Sequence, residues 1–251
     1  MRPPVWDCNR LLGPLGDRTV PSRDVPGLLA ELDRLGIDGA CVAHTHALGY
    51  QPEGGNAVLE RAVTSSSRLL PVAALTPDTL DEPDPVGRLR ASGVRLARLC
   101  PVEHRFRVDG PRARRLLADL ADHDVTVLID FEHTPIEGLE RAAAVPGLKL
   151  VLLHPGLRRL RDLAEILEAS DAVHVETSNL LAHRAAEWIA ARFGAHRLLF
   201  GTGAPLLDGC GPRFALDHLD LEPADQALVA SGNLFRLAGQ PPALVPPGIP
   251  A

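Results

Sequence analysis

Lysine is almost missing from this chain: Lys149 is the single one, and arginine supplies the rest of the 26 basic residues in 251. That bias reads as coding composition and not as function. Positive charge is also short overall, with a net charge of −6 and a pI near 5.9. A phosphate-binding surface normally announces itself as a basic patch, so nucleic acid is excluded as the main partner and a small molecule is expected. No apolar run approaches the roughly 18 residues of a membrane span. The chain enters a strand pattern at Val5 without a basic and apolar leader, so no membrane association and a cytoplasmic location are expected. The four cysteines, Cys8, Cys41, Cys100 and Cys210, form no CxxC and no short framework. Reduced thiols and no structural disulfide follow.

What is present is an alternation. Short apolar runs begin at Val5, Ile37, Leu69, Val94, Val125, Leu148, Ala172 and Arg197, and amphipathic stretches separate them. Eight such βα units predict an α/β fold, a single (β/α)8 TIM barrel. The segments LLAELDRLG from Leu28 and RRLLADLADHD from Arg114 space leucines by three and four, giving each helix one apolar face. Pro111 is placed to open a helix. NLLAHRAAEWIAARFG from Asn179 predicts a helix ended by Gly194, and the stretch from Ala224 predicts the closing helices. Asn56, after Gly54 and Gly55, is expected to cap the second helix. One domain over residues 1–239 is expected, followed by a proline-rich tail, 240–251, too rich in proline to pack as a helix.

WDCNRLLGP at the start, LKLVLLHPGL, AVHVETS, FGAHRLLFGTGAP and the closing SGNLFRL resemble the amidohydrolase-related family of TIM barrels. That family includes aminocarboxymuconate semialdehyde and γ-resorcylate decarboxylases and pyrone-dicarboxylate lactonases. The resemblance runs over nearly the entire chain and implies a homodimer. It also implies a metal-ligand set, and here the chain departs from the pattern. Aligning the family's IDxHxHxG opening puts Asn9 and Leu11 at the two histidine positions. The fifth-strand histidine becomes Asp130, and the final aspartate becomes Gly203. Zinc sites use His, Cys and carboxylates, so the usual metal site is not expected, and no cofactor is expected either.

His154, at the end of the sixth run, matches the family's acid/base histidine and is the first catalytic candidate. Its bland alternative is a histidine hydrogen-bonded in the upper core. Asp130 ends the adjacent strand and could orient it, or cap its own loop. Arg98 shares inward parity with Cys100. It could hold a substrate carboxylate, or form a salt bridge with Asp130 or Glu132. Glu176, with His174 and Ser178 at the same parity, and Asn9 and Cys100 complete the expected substrate-binding set. His44 and His46 form the only HxH, but they follow the second strand and carry no readable third ligand.

The resemblance therefore implies a metal-independent hydrolase or decarboxylase acting on a small, anionic, carboxylate-bearing or cyclic substrate, with His154 moving the proton. The alternative is a non-catalytic barrel that binds a ligand or a partner. A third reading rebuilds a metal centre from Asp130, His154 and Glu176 or from the His44 pair.

Overall fold

The computed structural model describes residues 2–49 and 51–239; the expected tail, 240–251, lies outside them. Eight strands carry the fold: β1 Trp6–Leu12, β2 Gly39–His44, β3 Leu69–Leu75, β4 Leu96–Leu99, β5 Thr126–Asp130, β6 Leu150–Leu153, β7 Val173–Glu176 and β8 Leu198–Leu199. All neighbours are parallel and follow chain order. Backbone bonds join the last strand to the first: Cys8 N–H to Phe200 O at 3.0 Å and Gly203 N–H to Asn9 O at 3.1 Å. The expected (β/α)8 barrel is what forms.

Period-two alternation sorts the apolar residues into two layers. Val127 and Ile129 of β5 turn outward to Leu116, Leu117 and Leu120 of the helix Pro111–Asp122. Leu128 turns inward with Cys41, Val72, Leu96 and Val151. The helix Pro111–Asp122 opens on its proline as expected, and the helix Val25–Leu35 is capped by Asp24, whose side chain accepts from Gly27 N–H. Below the strands, the helix Asn233–Ala238 plugs the barrel floor with Leu234 and Leu237, and Phe235 meets Trp6 edge-on at 5.6 Å. Only the mouth, at the C-terminal ends of the strands, is left for chemistry.

Two local expectations fail. Asn56 lies inside the helix Pro52–Val63, where its amide pairs with both Ala74 N–H and Ala74 O, at 2.9 and 2.8 Å. It fastens that helix to β3 in place of capping it. The helix expected from Asn179 starts only at Ala185, because Arg184 adopts a left-handed φ of 52°; it does end at Gly194. Among the described residues no helix is long and apolar enough to cross a membrane.

Candidate active site

Five strands send polar side chains to one point. β1 contributes Asn9 because its register against β2 slips between Asp7 and Arg10. That slip is a bulge, and it re-aims one side chain. Trp6, Cys8 and Leu11 belong to the interior layer, at a spacing of two and then three, and Asn9 joins them from between. Its amide oxygen accepts from Arg98 Nη1 at 2.9 Å. Its amide nitrogen lies 3.0 Å from His154 Nε2 and 3.4 Å from Glu176 Oε2. On its other edge, His154 Nδ1 is 2.8 Å from Asp130 Oδ2. His154 follows β6 with φ of 50°, a left-handed conformation that costs a non-glycine residue and is typical of functional positions.

Asp130 therefore does both things expected of it. Oδ2 faces His154, while Oδ1 caps its own loop, accepting from His133 N–H at 2.8 Å and lying 2.9 Å from His133 Nδ1. Burial acts to raise its carboxyl, but the bonds from His154 and His133 outweigh it and hold it below the ordinary carboxylate range. The loop carrying His133 is itself pinned, since Arg159 donates to the carbonyls of Phe131, Glu132 and Thr134 and stacks over the Phe131 ring.

Glu176 is fully buried and works as an acceptor hub. Oε1 takes Ser178 N–H at 2.6 Å; Oε2 takes Ser178 Oγ at 2.8 Å and His154 N–H at 3.2 Å. Burial still pushes its carboxyl up, against the pull of His154 and these bonds. It fits only because Gly201 has no side chain, since a Cβ there would lie 2.3 Å from Oε1. Gly201→Ala is accordingly expected to cost about 1–3 kcal/mol by overpacking. Urea unfolding reads this directly, and an unchanged midpoint would mean that Glu176 is free to move aside.

The structure corrects two sequence expectations. Arg98 bonds Asn9 and not Asp130 or Glu132, because two histidines occupy Asp130 and Asn179 takes Glu132. His174 does not join the cluster: it sits lower on β7, with Nδ1 3.2 Å from Ala172 O, and burial together with the nearby Arg197 charge lowers it to about 4. Cys100, named with the substrate-binding set, is a buried interior residue beside Arg98 whose thiol is pushed up to about 11 by burial. Asn9, Asp130, His154, Glu176, Ser178 and Arg98 do converge. His133, in the loop after β5, joins the cluster through Asp130. It also lines a groove of about 530 Å³ beside the mouth, with Phe106, Arg107, Pro135 and Arg141.

A metal does not fit this donor set. Leu11 belongs to the apolar interior and Gly203 offers no side chain. Asn9 turns its oxygen to a guanidinium, and both Asp130 oxygens are engaged by histidines. His44 Nδ1 accepts from His46 N–H at 3.2 Å, a local turn and not a chelate. Among the described residues no three His, Cys, Asp or Glu side chains are grouped to hold an ion.

The barrel superposes on solved structures across almost its whole length. A 2,6-dihydroxybenzoate decarboxylase from Rhizobium aligns with TM-score 0.75 at 14% identity, covering 95% of this chain and 99% of that one. A Pseudomonas putida protein named for 2-pyrone-4,6-dicarboxylic acid hydrolysis aligns with TM-score 0.72 at 18% identity, covering 95% and 98%. A dihydroxybenzoic acid decarboxylase from a Polaromonas species, solved with manganese and 2-nitroresorcinol, gives TM-score 0.75 at 13% identity, covering 95% and 97%. At such identities these matches speak for the fold. No curated protein matches the sequence. The amidohydrolase family model does match, over residues 24–237, and with so much of the barrel inside it the chain belongs to the amidohydrolase family, whose barrels serve enzymes of hydrolase and carboxy-lyase type.

Proposed function

We propose that this barrel is a metal-independent hydrolase or decarboxylase for a small carboxylate-bearing or cyclic substrate, with the His154 and Asp130 pair as its acid/base. The observation that carries this reading is the 2.8 Å contact between His154 Nδ1 and Asp130 Oδ2 at the barrel mouth. A carboxylate on Nδ1 fixes the ring orientation and leaves Nε2 to exchange protons with substrate or water. The named activities of the structural relatives, on dihydroxybenzoate and pyrone dicarboxylate, suggest the substrate class.

In the hydrolytic form, Nε2 takes a proton from water as its oxygen adds to a lactone or amide carbonyl. It then returns that proton to the departing oxygen or nitrogen as the old bond breaks. Decarboxylation needs the opposite starting state, a proton on Nε2 to deliver to carbon. Because Asn9 Nδ2 faces Nε2 at 3.0 Å, hydrolysis is the better-supported form. Arg98, a permanent cation beside Asn9, is the group for a substrate carboxylate.

A second reading, a ligand-binding barrel without turnover, is favoured by one observation: His154 is only 8% exposed and each of its ring nitrogens already has a partner.

Elemental analysis of protein purified without affinity metal, followed by chelator treatment and a screen of ring carboxylates, lactones and cyclic amides, tests both readings. Metal well below one equivalent with chelator-resistant turnover is expected. Stoichiometric zinc or manganese would overturn metal independence, and specific binding without product would favour the second reading.

A further inference from the structure

We propose that Arg98 is a positioning residue that acts through the Asn9 amide to hold His154 Nε2 as an unprotonated hydrogen-bond acceptor. This rests on His154 being the base of the proposed reaction, but its test does not require turnover.

The direction of every bond in the chain follows from donor chemistry. A guanidinium only donates, so the Asn9 atom 2.9 Å from Arg98 Nη1 is the oxygen. The amide nitrogen then points the other way, toward Glu176 Oε2 at 3.4 Å and His154 Nε2 at 3.0 Å. An amide NH₂ offers no lone pair, so the ring nitrogen facing it must supply one. The far edge of the ring agrees: Nδ1 lies 2.8 Å from Asp130 Oδ2, which accepts only, so the proton sits on Nδ1. The other Asp130 oxygen is kept by His133. Arg98 comes from β4, Asn9 from the β1 bulge, His154 from the end of β6 and Asp130 from β5, so four separate strands agree on one tautomer. Without the Arg98 donor, only the 3.4 Å contact of its nitrogen with Glu176 Oε2 still holds the Asn9 amide, and the amide can turn over and present its oxygen to the ring. Nε2 would then carry a proton as well, and the base would be lost.

The experiment separates the Arg98 charge from the orientation of the Asn9 amide. Full-length protein carrying ¹⁵N-labelled histidine is compared at one pH near neutrality, with the His154 signals assigned by their loss in His154→Gln. Wild type is expected to show one protonated and one unprotonated ring nitrogen. Arg98→Met is expected to show both protonated, whereas Arg98→Gln, which still donates to Asn9, keeps the wild-type pattern. In an Asn9→Leu background, Arg98→Met should change nothing further. A wild-type ring protonated on Nε2 overturns the proposal, as does an equal Arg98→Met shift in the Asn9→Leu background. The expected ring pattern with no turnover on any substrate would sink the functional reading and leave this one standing.

Discussion

His154→Gln is expected to lower turnover of a substrate found by the screen by about 10²- to 10⁴-fold, the usual worth of a positioned acid/base. Glutamine keeps a polar group near Asn9 but cannot carry a proton back and forth. Asp130→Asn is expected to lose nearly as much, because an amide opposite Nδ1 no longer demands a proton there and the ring can settle in the wrong tautomer. The two residues lie 2.8 Å apart and act as one unit, so the double variant should fall no further than the worse single. Steady-state kinetics on all three proteins decides it. Full activity in His154→Gln would remove the assigned role, and losses that multiply would mean that the two carboxylate and imidazole groups serve separate steps.

Acid should destabilise the fold through His174. In the unfolded chain this ring takes a proton near its ordinary value of about 6.5. In the barrel, burial and Arg197 delay that to about 4. Between these limits the unfolded state binds more protons, so stability falls as pH falls from about 6.5 to about 4 and is fully present above that window. Each unit of separation corresponds to about 1.4 kcal/mol, which gives roughly 2 kcal/mol lost between pH 7 and pH 4.5. His174→Gln keeps a donor for Ala172 O and removes the titration. Urea unfolding of both proteins at the two pH values should show the variant's dependence flatter by about that amount. Parallel curves would mean that water reaches the ring, or that another buried histidine governs the acid response.

The barrel was legible because its strands advertise themselves: VTVLIDF and LKLVLLHP are short, β-branched or leucine-rich, and end in polar residues, as strands feeding a mouth must. The pairing of Asp130 with His154 was legible for the same reason, since both end neighbouring strands. The partner of Arg98 was not. Simple alternation from Trp6 and Cys8 turns Asn9 away from the interior, and only the bulge between Asp7 and Arg10 brings it back. His174 misled by sharing parity with Glu176: parity fixes which wall a residue faces but not its height, and one pleat lower it meets a backbone carbonyl instead of the site. The need for Gly201 shows only once the Glu176 carboxylate is seen against its backbone.

The floor and the seam of the barrel share a timing. The helix that seals the floor is Asn233–Ala238, and the strand that closes onto β1 begins only at Leu198. On the ribosome, the first three-quarters of the chain would emerge as an open, curling sheet with one edge unpaired and the interior face of Trp6 bare to water. Contacts between the first and last strands are the most distant that this topology demands, and such contacts slow folding. A release from the ribosome even a few dozen residues early would leave an edge ready to pair with another chain. The strand Leu198–Leu199 and the helix Asn233–Ala238 thus decide when the edge of β1 and the interior face of Trp6 are covered.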